Sequence, residues 1–131
     1  MEFNVIIPEL SVSDIKKSLW FYVDVIGFKI EYERPDDKFA FLSYGGAQIM
    51  IEQINGHWDV APLEYPFGRG INFQIEVSDV EKISARLTES NISLFKKISI
   101  STYKAGDTIF TQKELLVQDP DGYLLRFSQT I

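Results

Sequence analysis

Cysteine is missing from this sequence of 131 residues, and histidine occurs once, at His57. The first absence excludes disulfides, thiolate nucleophiles and cysteine–zinc sites. The second excludes a metal centre built from several histidines. Apolar runs long enough to span a membrane are also lacking, and the start Met1-Glu2-Phe3-Asn4 is not the charged and then apolar start of a signal peptide. We therefore expect a cytoplasmic protein with no membrane partner.

Positive charge is scarce, since 13 Lys and Arg side chains face 19 Asp and Glu, for a net charge of −6. Nucleic-acid binding relies on clustered Lys and Arg, so we expect no nucleic-acid partner. The acidity favours a cationic ligand, although ordinary solubility is the simpler explanation of the charge alone. What the chain does contain is 45% hydrophobic and 14% aromatic residues, which predicts a single folded domain with a core.

One pattern occurs twice along the chain. Val12-Ser13-Asp14-Ile15 in the first half is echoed by Val77-Ser78-Asp79-Val80 in the second. Each copy follows an alternating, strand-like run, Val5–Glu9 and Ile71–Val77. Each copy also opens a predicted helix, which the serine or the aspartate can cap. This predicts two modules with the same order of elements.

Three strands are predicted after each helix. The first helix stops at Gly27, and the turns contain Gly45-Gly46 and Asp119-Pro120-Asp121-Gly122. Each half then has the order β-α-β-β-β, with the first module over about residues 1–54, an ordered linker over 55–70 and the second module over about 71–131. The predicted strands after the helices are Phe28–Glu33, Phe39–Tyr44, Ala47–Ile54, Ile92–Ile98, Thr111–Gln118 and Tyr123–Gln129.

Two segments make the chain similar to a known family. "FYVDVIGFKI" (Phe21–Ile30), "DPDGYLLRF" (Asp119–Phe127) and the duplication together resemble the vicinal oxygen chelate superfamily of glyoxalases, bleomycin resistance proteins and dioxygenases. The resemblance implies an α+β fold in which two βαβββ modules form curved mixed sheets. "PELSVSD" (Pro8–Asp14) and the segment Pro62–Val77 resemble most the bleomycin-resistance-type branch.

Metal enzymes of this superfamily hold a divalent ion with His and Glu side chains. The matching positions in this chain are Ile7, Glu52, Asn72 and Arg126, and only Glu52 is a ligand of the expected kind. Isoleucine cannot coordinate a metal, an amide is a poor ligand and a guanidinium repels a cation. The resemblance therefore implies no metal, no cofactor and no catalytic residue of the usual type.

A ligand pocket is the remaining use of these positions. Strand alternation puts Asn72, Gln74 and Glu76 on one face, although this row can equally face bulk solvent. Arg126, in the middle of an apolar strand, needs a carboxylate, for which Glu52 is the expected partner. Alternatively, this ion pair has no ligand and only fills the space that the metal ion occupies in the metal enzymes. Tyr103, in the polar stretch Ser99–Thr111, can close over a ligand. The candidate ligand-binding residues are Phe39, Phe41, Glu52, Asn72, Gln74, Phe110 and Arg126.

The resemblance implies a metal-free protein that sequesters a cationic aromatic antibiotic, or another small molecule, without turnover. It also implies a homodimer in which the first strand crosses to the partner, with Pro8 as a hinge. The alternative is an enzyme, either a glyoxalase-type lyase or isomerase or a dioxygenase-like enzyme, with an atypical site that uses Glu52. A purely structural module would leave the polar row on the strand without a use.

Overall fold

Each half of the chain forms a four-stranded mixed sheet with helical structure on one face. The computed structural model describes residues Met1–Ile131, which divide into two compact units, unit 1 (Met1–Phe67) and unit 2 (Gly68–Ile131). Unit 1 contains β1 (Glu9–Val12), α1 (Ile15–Leu19), a π-helix (Trp20–Ile26), β2 (Lys29–Arg34), β3 (Phe39–Tyr44) and β4 (Ala47–Gln53). Unit 2 contains β5 (Asn72–Glu76), α2 (Val80–Glu89), β6 (Lys96–Ala105), β7 (Thr108–Gln118) and β8 (Leu124–Thr130).

The two sheets have the same topology. The strand orders are β1-β4-β3-β2 in unit 1 and β5-β8-β7-β6 in unit 2, and in each the first pair is parallel and the others antiparallel. The predicted α+β fold of two βαβββ modules is confirmed. No helix of the structure is long and apolar enough to cross a membrane.

The two helices begin in the same way. Asp14 Oδ1 accepts from the backbone N–H groups two and three residues later, at 3.0 and 3.3 Å, and Asp79 Oδ1 does so at 3.1 and 3.2 Å. The first helical N–H is held by a glutamine on the last strand of the same unit, Gln53 for α1 and Gln129 for α2. The aspartate is therefore the cap in both copies of the repeat, and the capping geometry is duplicated with the fold.

Alternation along the strands separates an apolar face from a more polar one. In unit 1, Ile49 and Ile51 of β4 are buried with residues of the helical segment; in unit 2, Leu115 and Phe127 are buried with Ile83 of α2. The opposite surface of each sheet is called here its helix-free face. In unit 1 it carries Glu9, Tyr32, Arg34, Phe39, Phe41, Met50 and Glu52; in unit 2 it carries Asn72, Gln74, Glu76, Ser99, Ser101, Tyr103, Phe110, Gln112, Glu114, Arg126, Ser128 and Thr130.

The first strand was wrongly predicted. It spans Glu9–Val12 and not Val5–Glu9. The preceding segment turns onto the β3–β4 hairpin, where Asn4 N–H donates to Gln48 Oε1 at 2.7 Å and Asn4 Nδ2 donates to Gly46 O at 2.9 Å. These side-chain contacts hold residues whose alternating sequence would also suit a strand.

The predicted strand Ile92–Ile98 was also wrong in its bounds. The strand is β6, Lys96–Ala105, and it forms a long hairpin with β7 around Gly106, whose φ is +63°. The stretch Ser99–Thr111, predicted as a polar segment without a strand, is most of this hairpin. At its start Ile98, Ser99, Ile100 and Ser101 alternate between apolar and polar, and this short period of two is the strand signal that the polar composition of the stretch concealed.

Candidate functional site

A tight turn fixes where Arg126 lies on β8. Asp119 Oδ1 accepts from the N–H groups of Asp121 and Tyr123, at 2.9 and 3.0 Å, and Gly122 has a φ of +95°. The turn sets the register in which Leu116 of β7 lies opposite Arg126. Every second residue of both strands then shares the helix-free face with the guanidinium.

Arg126 forms a compact group with Glu114 of the neighbouring strand β7 and with Tyr103 of β6, the strand beyond it. Its Nη1 donates to Tyr103 Oη at 3.4 Å and lies 4.0 Å from Glu114 Oε2, while Tyr103 Oη donates a short hydrogen bond to Glu114 Oε1. The side chain of Glu114 is 5% exposed and that of Arg126 is 27% exposed. With Ser99, opposite Glu114 in the ladder, these residues are called the Arg126 cluster.

The carboxylate beside Arg126 within unit 2 is therefore Glu114, which was not predicted, and a pair between Arg126 and Glu52 of unit 1 stays a prediction. Glu52 accepts from Asn55 Nδ2 at 3.0 Å within unit 1. Glu114 is two residues from Leu116, which lies opposite Arg126, so the pleat puts Glu114 and Arg126 on one face. Counting residues back from the Asp119 turn would have found this pair in the sequence.

The Arg126 cluster leaves buried polar atoms without hydrogen-bond partners. They are Glu114 Oε2, Arg126 Nε and Ser99 Oγ. Glu114 Oε2 has only the guanidinium near it, at 4.0 Å, which is too long for a hydrogen bond. The cluster thus holds the Glu114 carboxylate and the Arg126 guanidinium in place and leaves one buried atom of each without a hydrogen bond.

A second polar group on the same face is satisfied internally. Ser128 Oγ donates to Gln112 Oε1 at 2.5 Å, Gln112 Nε2 donates to Thr130 Oγ1 at 3.0 Å, and Thr130 Oγ1 donates to Glu76 Oε1 at 2.8 Å. Gln112 and Glu114 are two residues apart on β7, so both groups belong to one polar surface. The two groups differ in that only the Arg126 cluster contains buried side-chain atoms without a hydrogen-bond partner.

The other predicted site residues of unit 2 lie at the edges of this surface. Asn72 and Gln74 are exposed on β5, where Gln74 is opposite Arg126 in the parallel ladder. Phe110 is exposed on β7 opposite Tyr103. The structure therefore brings Gln74 and Arg126 onto neighbouring strands and Tyr103 onto the same face two strands from Arg126, and contact with a ligand stays a prediction for Asn72, Gln74 and Phe110.

The two phenylalanines predicted to stack on a ligand are covered in unit 1. Phe39 is 3% and Phe41 is 1% exposed. Tyr32 stacks on Phe41 with ring centroids 5.2 Å apart, Phe3 contacts Phe41 edge-on at 5.4 Å, and the Arg34 guanidinium lies 3.9 Å from the Phe39 centroid. Sequence alternation gave the correct face but could not show these covering groups. The ring nearest to solvent in this group belongs to Phe3.

Negative charge surrounds the aromatic group. Burial and the neighbouring Glu52 carboxylate raise the pKa of Glu9, and the Arg34 guanidinium lowers it in part. Arg34 also forms an ion pair with Asp37, with Nε and Oδ2 3.3 Å apart. A planar cation is therefore already bound to an aromatic ring beside carboxylates on this face.

A cavity of about 470 Å³ lies beside the same strands. It is lined in part by Asp36, Asp37, Glu52 and His57. From the sequence, His57 was placed in the linker and given no role in the site. In the structure this imidazole shares an acidic cavity with Glu52.

The four positions that match metal ligands do not fit a divalent ion. Ile7 lies before β1 and has no donor atom, Asn72 offers an amide, and Arg126 brings a positive charge. Glu52 is the single carboxylate among them. No group of three or more His, Cys, Asp or Glu side chains in the structure is arranged to hold a metal ion.

Comparison with known proteins gives a consistent family. The model of the "Glyoxalase/Bleomycin resistance protein/Dioxygenase superfamily" matches residues 4–127. A lactoylglutathione lyase of Neisseria meningitidis is 28% identical over 126 residues, covering 92% of this chain and 86% of the relative. A bleomycin resistance protein of Geobacillus stearothermophilus is 28% identical over 134 residues, covering 95% and 96%.

A solved structure shows the same fold. TioX from Micromonospora sp. ML1 superposes with a TM-score of 0.75 at 20% sequence identity, covering 98% of this chain and 100% of that one. At this identity the likeness concerns the fold alone. With the family match over nearly the whole chain, it leads to one conclusion: the chain belongs to the glyoxalase/bleomycin resistance protein/dioxygenase superfamily.

Proposed function

We propose that this protein binds and sequesters a small molecule without a metal and without changing the molecule chemically. The observation that carries the proposal is the position of Arg126, which supplies a guanidinium where metal enzymes of the family have a metal ligand. Glu114 of β7 and Tyr103 of β6 contact this guanidinium. A guanidinium that a carboxylate holds in place can donate hydrogen bonds to polar groups of a ligand. Its positive charge also opposes the binding of a metal ion.

A cationic, partly aromatic ligand fits the helix-free face of unit 1. Arg34 already demonstrates the contact, because its guanidinium lies 3.9 Å from the centroid of Phe39. Glu9 and Glu52 add negative charge beside it. Burial and, after it, the nearby Glu52 carboxylate raise the pKa of Glu9. A ligand with a flat cationic group can take the place of the exposed Arg34 side chain.

The relatives support two functions of different classes. A relative named bleomycin resistance protein agrees with sequestration of an antibiotic, and a relative named lactoylglutathione lyase agrees with the alternative, a lyase. Both are 28% identical to this chain, so identity does not separate them. The residue set at the metal positions favours the binding protein, because Ile7, Asn72 and Arg126 cannot replace His and Glu ligands.

A homodimer completes the proposal. Val5, Ile6, Trp58 and Val60 are exposed apolar side chains outside the two sheets. A second copy of the chain in a two-fold arrangement is the simplest cover for such side chains. Light scattering at high protein concentration tests this, and a monomer mass would contradict it.

The experiment for the function is a calorimetric titration of chelator-treated protein with bleomycin, followed by mass analysis of the recovered ligand. We expect saturable binding with about one ligand per chain and an unchanged ligand mass. The same protein, with and without Ni²⁺ or Zn²⁺, is then incubated with glutathione and methylglyoxal, the two compounds into which a lyase would split lactoylglutathione. Metal-dependent formation of lactoylglutathione, the favoured direction of this equilibrium, would show that the protein is a lyase and that the proposal is wrong.

A further inference from the structure

The unsatisfied atoms of the Arg126 cluster have opposite bonding roles. Glu114 Oε2 can only accept a hydrogen bond, and Arg126 Nε–H can only donate one. Ser99 Oγ, on the strand beside Glu114, can do either. Buried polar atoms of native proteins are nearly always paired with protein, ligand or ordered water, so three such atoms on adjacent strands mark a place for a water molecule or for a polar group of a ligand.

A partner of these atoms must donate and accept at the same time. A carboxylate would accept from Arg126 but would be repelled by Glu114, and a cation would donate to Glu114 but would be repelled by Arg126. A carboxamide satisfies both, because its N–H and C=O are separate atoms in one plane.

A side-chain amide already satisfies polar groups in this way at Gln112, two residues before Glu114 on β7. The side-chain amide of Gln112 accepts from Ser128 Oγ and donates to Thr130 Oγ1, which satisfies the polar groups around it. Glu114 is the next residue of β7 on that face, and no side-chain amide donates to its Oε2. A carboxamide group of a ligand would satisfy the polar atoms of the Arg126 cluster in the way that the Gln112 amide satisfies its neighbours.

We infer that the Arg126 cluster binds a neutral carboxamide group of the ligand, with Glu114 as acceptor, Arg126 as donor and Ser99 as a further contact. The inference rests on the proposed function, because it assigns part of the ligand to the helix-free face of unit 2. Tyr103 is a positioning residue, since its hydroxyl occupies Glu114 Oε1 and leaves Oε2 for the ligand.

Three small probes of nearly equal shape test the inference on the full-length protein: acetamide, acetate and acetamidinium. Nuclear magnetic resonance follows the Arg126 Nε–H signal and the backbone N–H of Ser99 and Glu114 during each titration. We expect acetamide to shift these signals with an apparent affinity at least about tenfold higher than either charged probe. The signals of Gln112 and Ser128, whose groups are already satisfied, should move less.

A change of preference in a variant makes the test specific. Glu114→Gln removes the negative charge and keeps the shape, so acetate should bind more tightly to this variant than acetamide does. Glu76→Gln is the matched control, because it removes one carboxylate from the same face outside the cluster and should leave the order of the probes unchanged. Ser99→Ala should weaken acetamide severalfold without changing the order, which provides a readout even if Glu114→Gln does not fold.

Several results would overturn the inference. One is the absence of any shift of Arg126 Nε–H with acetamide; another is an equal response to all three probes, as expected if water alone satisfies the cluster. Failure here and failure of the proposed function are distinguishable. Bleomycin binding without an acetamide response rejects the carboxamide site alone, and an acetamide response without bleomycin binding rejects the antibiotic as ligand.

Discussion

Arg126 and Glu114 lie diagonally across β7 and β8, with Nη1 and Oε2 4.0 Å apart and with the carboxylate almost fully buried. Neither group has another residue of opposite charge in an ion pair. The carboxylate also accepts from Tyr103, which fixes one oxygen but does not neutralise its charge. Each of the two residues therefore depends on the other for charge compensation.

Removing one member of this pair should destabilise the fold. We expect Arg126→Leu to lower the free energy of unfolding by about 1–3 kcal/mol, because it leaves the buried Glu114 charge without a cation. The double variant Arg126→Leu with Glu114→Leu should lose less than the sum of the single losses. Urea denaturation of the four proteins measures both. Additive losses would show that the two charges do not interact.

Reversing the charge at Arg126 should create a dependence on metal ions. Arg126→Glu places a second carboxylate beside Glu114, so the melting temperature should fall because of like-charge repulsion. Mn²⁺ or Ni²⁺ should restore part of it by binding the folded state alone. Arg126→Gln is the control, since it removes the guanidinium without adding a ligand charge. Equal metal responses of the two variants would refute the expected geometry.

Much of the fold follows from local signals in the sequence. β3 has the predicted bounds, the aspartate caps of both helices were among the predicted ones, and the Asp119–Gly122 turn forms as its residues require. These features depend on neighbours within a few positions along the chain, such as a side chain that reaches the next turn of backbone. Short-range geometry of this kind is encoded in short stretches of sequence.

The features that the sequence did not show depend on which strands and segments come together. Phe39 and Phe41 have the pattern of ligand-facing residues, but Phe3, from the start of the chain, covers Phe41, and Arg34, across the β2–β3 hairpin, covers Phe39. The partner of Arg126 depends on strand register. Strand register can be predicted when a turn is assigned first and residues are counted from it. Counting from the Asp119 turn places Glu114 on the same face as Arg126.

Gly68 provides a test of backbone conformation and packing together. Its φ is +70°, and a Cβ placed on it would lie 2.5 Å from Tyr123 Cδ1. Gly70 has a φ of +89° with no atom within 4 Å of such a Cβ, so it isolates the conformational cost. We expect Gly70→Ala to cost about 1–2 kcal/mol and Gly68→Ala clearly more, by about 1–3 kcal/mol. Thermal unfolding of both variants compares them; equal losses would mean that the Tyr123 ring moves aside freely.

Glu9 gives the protein a pH-dependent stability term whose sign follows from its surroundings. Burial and the Glu52 carboxylate raise the pKa of Glu9 above its ordinary value of 4.5, in part against the effect of Arg34. The folded state therefore binds this proton more tightly than the unfolded chain does. The resulting stabilisation is fully present below pH 4.5 and is lost as the pH rises through the pKa of the folded state.

Glu9→Gln, which cannot ionise, should consequently gain stability relative to the parent as the pH rises from about 4 to 7. Urea midpoints of both proteins across this range give the difference at each pH. Glu33→Gln, at an exposed position of β2, is the control for the loss of one negative charge. Arg34→Ala in the parent background should steepen the pH dependence, because the cation that lowers the pKa of Glu9 is then missing. A difference between Glu9→Gln and the parent that stays constant with pH would show that the carboxyl of Glu9 is solvated and is unaffected by Glu52.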